Sequence, residues 1–324
     1  MLVIGIESSA HTFGVGIVDD GKILASEKEM FKIGTTGMIP AEVAEFHVNN
    51  AADVISRALE RAGIGYRDIE GIGYTRGPGL GPCLQVGCLS AKTLAKKLNV
   101  KIVPVNHGVG HIEVTRISAG LKDPIALYVS GGNSQILKIS DKPFRHYRVL
   151  GETFDIGVGN MLDSFARELK LTPSWGSTVE KSALGGKYIE MPYSVKGMDF
   201  SFTGLLTKAT SLIPEEKKED LCFSLQEAAF SMLAETAERA ILLTNSKELC
   251  VCGGVAQNTR LKEMLGLMAK EHGVRFGFVE GALNADNGAM IAMVAERMLR
   301  NGFSVPVNEC RTEQRYRVDR ARVF

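Results

Sequence analysis

The sequence predicts an α/β protein made of two similar halves, and three observations predict it. The chain has 324 residues, longer than a single hydrophobic core usually grows, and 45% of them are hydrophobic, enough for two cores. A three-strand meander opens the chain, and its plan returns near the middle with different residues. Each meander is followed later by a strand, a glycine-bearing turn and a helix. The halves are expected at residues 1–122 together with about 295–324, and at 123–294, the second carrying helical insertions.

The elements follow in order. Residues 2–6, 13–18 and 22–26 read as strands from their alternating apolar positions, and Asp20-Gly21 supplies a hairpin turn. Residues 71–74 form a strand that leads into a glycine loop at 76–82 and a helix from about Gln85. The plan returns with strands at 125–129, 134–139 and 144–150, the first two joined by Ser130-Gly131-Gly132-Asn133. Residues 248–252 then lead into Gly253-Gly254-Val255-Ala256 and a helix from about Asn258. Helices over 41–62, 91–97, 161–169 and 225–243 follow from a 3.6-residue apolar period.

Two α/β halves of this plan resemble the actin, heat-shock and sugar-kinase ATPase superfamily. There a nucleotide lies in a cleft between halves, its phosphates held by backbone amides of the two first turns. Glycine suits such turns because amides converge without a Cβ in the way. On topology alone, an ordinary pair of Rossmann-like domains is the alternative.

Composition excludes several classes. A formal charge of +1 argues against a protein that coats nucleic acid by electrostatics alone, because that affinity comes from neutralising many phosphates. The cysteines at 83, 88, 222, 250, 252 and 310 form no C-x-x-C pair, so free thiols in a reducing compartment are expected. No apolar run approaches the ~20 residues that span a bilayer, and the start lacks a signal-peptide pattern. A cytoplasmic protein without a membrane partner is expected.

The stretch NHGVGHIE carries the first chemistry. His107 and His111 are four apart, so a helix presents them on one face, where they can chelate one metal ion. Such pairs are also common in purely structural roles. Gly108 stands where a zinc peptidase of the H-E-x-x-H kind carries its general base, which weakens a peptidase reading. Asp286 and Tyr128 are further candidate ligands at element ends. The alternatives are a helix N-cap for Asp286, ahead of a helix over 287–299, and a buried strand aromatic for Tyr128.

Taken together, IGIESSAHT, GPGLGPCLQVG, NHGVGHIE, LYVSGGNSQ, GETFDIGVGN, VKGMDFSFTGL, CGGVAQN and NADNGAMIA resemble the universal tRNA threonylcarbamoyladenosine-modification family. It is called TsaD in bacteria and OSGEP in animals, and its archaeal and eukaryotic branch is a subunit of the KEOPS complex. The match runs in order from residue 4 to about 293, and GETFDIGVGN and VKGMDFSFTGL resemble the archaeal and eukaryotic form.

The resemblance implies a metal site of His107, His111 and Asp286, with Tyr128 as a further ligand; such nitrogen and oxygen donors suit iron ahead of zinc. It also implies that ATP or threonylcarbamoyl-adenylate is held by Tyr128, Val129, Ser130, Gly131 and Gly132, by Asp163, Gly176 and Glu180 around the ribose, and by Asn258. Without the motif match, Asp163 and Glu180 would read as a solvated helix face. Two stretches depart from the family. The usual Pro-Gly-Gly-Pro loop is replaced by Pro173-Ser174-Trp175-Gly176-Ser177-Thr178, and the first turn reads Glu7-Ser8-Ser9-Ala10-His11.

The implied reaction moves threonylcarbamoyl from its adenylate to the exocyclic amine of the adenosine 3′ of the anticodon, in tRNAs that decode adenosine-start codons. That amine is a poor nucleophile, so catalysis rests on positioning and on activating the carbonyl. Glu7, beside the first turn, is the candidate general base. An ATP-binding scaffold or ATPase without transfer chemistry is the competing class, and a metallopeptidase is a weaker one.

The resemblance further implies KEOPS partners, a small kinase or ATPase among them, in some archaea fused after such a C-terminal end. The tail over 311–322 interleaves five arginines with Tyr316, and Lys92, Lys96, Lys97 and Lys101 form a second basic cluster; each is an RNA contact or simply a solvated face. The helix over 41–59 is the docking candidate, with packing on its own domain as the alternative.

Overall fold

The computed structural model describes residues 1–32, 38–141 and 144–323. In chain order the elements are β1 (Leu2–Glu7), β2 (Thr12–Asp19), β3 (Lys22–Met30), α1 (Pro40–Ala62), β4 (Gly71–Gly77), α2 (Gly81–Leu98), β5 (Lys101–Asn106), α3 (His107–Ser118), β6 (Ile125–Val129), β7 (Ser134–Ser140), β8 (Arg145–Glu152), α4 (Val158–Glu168), α5 (Gly176–Ser182), β9 (Val195–Lys196), β10 (Asp199–Phe200), α6 (Thr203–Ser211), α7 (Lys218–Thr244), β11 (Glu248–Cys252), α8 (Thr259–Glu271), β12 (Arg275–Gly277), α9 (Gly288–Arg300) and β13 (Arg322–Val323). Two compact units emerge. Unit 1 is Met1–Val114, Ser140–Tyr147 and Ala285–Phe324; unit 2 is Thr115–Ile139 and Arg148–Asn284.

Unit 1 holds a five-stranded sheet of order β3-β2-β1-β4-β5. The meander is antiparallel, with Glu7 paired to Gly14, and β1, β4 and β5 run parallel. Period-two alternation divides the faces. Ile4, Ile6, Phe13, Val15 and Ile17 pack with Val54 and Ala58 of α1 and Ala91 and Ala95 of α2. On the opposite face, Gly5 and Gly16 let α9 lie directly on the sheet, because a Cβ on either would overlap the backbone of Ala292 or Ala289. That close seat draws Ala285 and all of α9 into unit 1, whereas the sequence puts the return at about 295.

The second sheet has the order β12-β11-β6-β7-β8-β13. Its first five strands repeat the order of unit 1, with β6 in the place of β1, which is the duplication read from the sequence. The core of unit 2 is built around α7, with Leu225, Ala229, Leu233 and Ala237 buried against Leu127, Val129 and Val251 of the sheet and Phe165 of α4. The apolar face of α1, including Val54, Ile55, Ala58 and Leu59, packs within unit 1.

Several details were not visible in the sequence. The segments from about 85 and over 91–97 are one helix, α2, which Pro82 helps start from its first turn. Strand β5 carries Pro104 and a lysine and lacks clean alternation; it continues without a break into α3. The tail folds back on unit 1: Tyr74 donates to the Arg311 carbonyl, and Arg76 lies over the Tyr316 ring. The arginines at 311, 315, 317, 320 and 322 remain exposed. All six cysteines are buried. Among the described residues no helix is long and apolar enough to cross a membrane.

Candidate functional site

The site in unit 1 lies at the carboxyl ends of its parallel strands. Glu7 ends β1, Thr75 lies near the end of β4, and His107 follows the last residue of β5. Ligand sites gather at such ends because each strand delivers one side chain to a common edge. Asn106 Oδ1 accepts from the Val109 amide, starting α3 so that His107 and His111 fall on successive turns of one face. Gly110 lies against Met290, bringing α3 close to the start of α9.

Asn287, not Asp286, caps α9: its side chain accepts from the Met290 amide at 3.0 Å. The Asp286 carboxylate is therefore free of helix capping. Its Oδ1 lies 3.2 Å from His111 Nε2 and 3.5 Å from His107 Nε2, and the two imidazoles meet edge to face with centroids 4.7 Å apart. Tetrahedral ligands at about 2.1 Å from a metal stand about 3.4 Å apart. Asp286 stands at that spacing from both imidazoles, all three donor atoms lie within 4.8 Å of one another, and two imidazole nitrogens with one carboxylate are a recognised donor set for a first-row dication. Lys28 Nζ donates to the Asp286 carbonyl at 3.3 Å.

Glu7 is fully buried behind His107. Its Oε2 is 3.0 Å from His107 Nδ1 and accepts from the Thr75 hydroxyl at 2.7 Å; its Oε1 accepts from the Ser9 amide at 2.6 Å. Burial alone would lower the His107 pKa, but the Glu7 and Asp286 carboxylates outweigh it and raise the value to about 9. Burial would raise the carboxyls, yet His107 pulls both below their ordinary values. His111 is pushed down, by burial first. A second cluster, Asp19, Asp20 and Glu296, is already engaged by the Met1 amino group and Arg300.

Unit 2 gathers the other expected residues. Cys252 pairs with Tyr128 across β11 and β6, so the turn at Gly253 and the turn at Ser130 leave neighbouring strands at the same level. The Ser130 amide donates to the Asn133 carbonyl, closing one turn, and the carbonyls of Ser130 and Gly131 accept from Gly159 and Asn160 of α4. Gly132 and Gly254 each face open space. Asp163 Oδ1 accepts from the Gly176 amide at 2.7 Å, and burial pushes its carboxyl pKa up. Glu180 Oε1 accepts from the Thr259 amide at 2.7 Å, beside Asn258. The Asn258 carboxamide is occupied: it caps α8 through the Leu261 amide and donates to Gln226.

The structure thus brings His107, His111, Asp286 and Glu7 together in unit 1, and Asp163, Gly176, Glu180 and Asn258 together in unit 2. Tyr128, buried at the end of β6, belongs to unit 2. Sequence reasoning missed Thr75, Ser9 and Lys28. Thr75 had a signal, a hydroxyl in an otherwise apolar strand one residue past the assigned end.

Comparison with known proteins bears on both units. The family described as TsaD, tRNA N6-adenosine threonylcarbamoyltransferase, matches residues 21–293. A curated protein of that name from Thermococcus kodakarensis is 45% identical over 326 residues, covering 100% of this chain and 99% of the relative. A probable bifunctional tRNA threonylcarbamoyladenosine biosynthesis protein from Methanobrevibacter smithii is 47% identical, and the match spans 98% of this chain but 59% of that longer protein. Among solved structures, T. kodakarensis HypF superposes with a TM-score of 0.63 at 16% identity, covering 91% of this chain and 47% of that one. Component A of (R)-2-hydroxyglutaryl-CoA dehydratase from Acidaminococcus fermentans superposes at 0.55, covering 91% and 97%, also at 16% identity. These likenesses show that the fold is shared.

Proposed function

The chain belongs to the tRNA N6-adenosine threonylcarbamoyltransferase family, and we propose that it carries out that transfer with one metal ion held by His107, His111 and Asp286. The observation that carries the reading is the convergence of these three donors, from α3 and from the position two residues before α9, at metal-ligand spacing. The donor set favours iron ahead of zinc. When bound, the metal supplies positive charge that draws electron density from the carbamoyl group.

The residues of the chain supply the rest by positioning. The donor is threonylcarbamoyl-adenylate, with its ribose against Asp163, Gly176 and Glu180 and its phosphate on the glycine turn Ser130-Gly131-Gly132 beside Val129 and Tyr128. Asn258 supports that floor through its cap and its bond to Gln226. The adenosine amine attacks the carbamoyl carbon, the bond to the phosphate oxygen breaks, AMP leaves with the electron pair, and the amine gives up a proton. Amides in the glycine turn suit the charge that collects on the departing phosphate.

The acceptor is tRNA decoding adenosine-start codons. A net charge of +1 supports help from KEOPS subunits, a small kinase or ATPase among them, in holding it. The word bifunctional in the name of the longer M. smithii relative supports a second activity working beside this one.

The test is transfer of labelled threonylcarbamoyl from supplied adenylate to unmodified tRNA, with partner subunits present. Label should reach the adenosine with the wild type and fall by at least about 100-fold in His111→Ala and Asp286→Asn, as for loss of a principal catalytic group. An inactive wild type that still binds metal and ATP would overturn the transferase reading in favour of a scaffold.

A further inference from the structure

We propose that Glu7 is a positioning residue that holds the proton of His107 on Nδ1, so that Nε2 is left bare for the metal. The inference rests on the metal reading above and deepens it.

The geometry begins with strand alternation. Glu7 is two residues from Gly5, so it points to the face of β1 on which α9 lies, the face that also receives Asp286. The strand order β1-β4-β5 then places it beside Thr75 and behind His107. At full burial its carboxylate meets three groups. The Ser9 amide can only donate, and it takes Oε1. The Thr75 hydroxyl carries one proton, and its contact of 2.7 Å to Oε2 is shorter than its 3.2 Å to the Ile6 carbonyl. The third group is His107 Nδ1, at 3.0 Å from Oε2.

A carboxylate in such company is an acceptor only, so Nδ1 must bring the proton. Nε2 then lies toward Asp286 and His111, on the side where the donors converge. Carboxylates that hold the far side of a metal-bound imidazole in this way fix its tautomer and its ring orientation. A general-base role does not fit the same atoms. Both oxygens are committed and neither reaches solvent, so no attacking amine meets them without dismantling the site.

Glu7→Gln gives a directional test. The Ser9 amide still demands an oxygen, so the new carboxamide turns its nitrogen toward His107 and Thr75. That nitrogen donates to Nδ1 and drives the imidazole proton to Nε2, the atom the metal needs. The shape of the side chain is unchanged.

Two readouts are taken on the full chain. Zinc affinity is measured by chelator competition for wild type, Glu7→Gln, Thr75→Val and Thr75→Ser. The side-chain 15N spectrum of metal-free protein, taken above pH 9 where the His107 ring is neutral, reports which of its nitrogens carries hydrogen, assigned with His107→Asn. Glu7→Gln should bind zinc about 10–100-fold more weakly, with Nδ1 bare, while wild type shows Nδ1 protonated. Thr75→Val should weaken zinc several-fold and Thr75→Ser should not.

Zinc binding by Glu7→Gln within threefold of wild type, with Nδ1 still protonated, would overturn the positioning role and leave the three-ligand site standing. A wild type with a bare Nδ1 would overturn it whether or not the variant folds. A wild type that does not bind zinc or iron would remove the metal site and this inference with it.

Discussion

Gly16 of β2 lies so close to Ala289 of α9 that a Cβ on the glycine would overlap the Ala289 nitrogen. Together with Gly5 against Ala292, this contact seats α9 on the sheet, and the seat of α9 sets where Asp286 stands. A glycine on a strand here does not loosen the sheet; it lets a helix deliver a ligand.

Gly16→Ala should therefore act on both stability and metal. The added methyl meets main-chain atoms that cannot rotate away, so a loss of at least about 2 kcal/mol is expected, at the upper side of ordinary overpacking. Thermal unfolding and zinc titration of the same sample check it. Wild-type stability together with wild-type affinity would show that α9 shifts without cost and that its seat does not place Asp286.

Asp286 and its neighbour Asn287 should separate cleanly. Asp286→Asn removes a ligand while the cap stays, so metal affinity should collapse with little change in unfolding midpoint. Asn287→Ala removes the cap and should cost about 1 kcal/mol of stability. If Asp286→Asn proved the more destabilising of the two in metal-free protein, the carboxylate would be structural.

His47 predicts a pH dependence. It is fully buried beside the Phe13 ring. Burial, with a smaller push from His11, lowers its pKa from 6.5 to about 4 against the pull of Glu7. Above pH 6.5 the imidazole is neutral in folded and unfolded chain alike, so its contribution is constant. Below that the unfolded chain takes up a proton that the folded one refuses, and stability falls as pH drops toward 4, by about 2–3 kcal/mol. Urea unfolding at pH 7 and pH 4.5 should show a smaller drop in His47→Gln than in wild type. Equal drops would place the acid sensitivity elsewhere.

Trp175 offers an optical report on unit 2. It is the only tryptophan, half-exposed, and it precedes the Gly176 whose amide Asp163 holds. AMP should change its emission, and Asp163→Asn should weaken AMP binding about tenfold, the loss of one hydrogen bond to a charged group. Trp175→Ala should leave zinc affinity unchanged. Emission that ignores AMP, while AMP binds by calorimetry, would move the nucleotide away from this loop.

Much of the fold was legible because its signals are local. Alternation marks the meanders, Asp20-Gly21 marks a hairpin, and the 3.6-residue period marks α1 and α7. The four-residue step from His107 to His111 needs only a helix to become a chelating pair, and α3 supplies it. Element edges were less legible. The break read within α2 arose because a short window of alanine and lysine repeats the helical period without showing that the helix had begun a turn earlier, at Gly81.

By itself the sequence determined the α/β duplication, the family and the residues able to bind a metal or a phosphate, all of which follow from composition and short spacing. Tertiary structure decided which role each of those residues takes. Asp286 is a ligand candidate rather than a cap because Asn287 already meets the Met290 amide. Glu7 faces His107, 100 positions away, because β1, β4 and β5 lie side by side and parallel. Pairings of that kind depend on strand order and on which face α9 covers, and these are settled by burying one sheet from both sides, a property of the whole unit rather than of any segment.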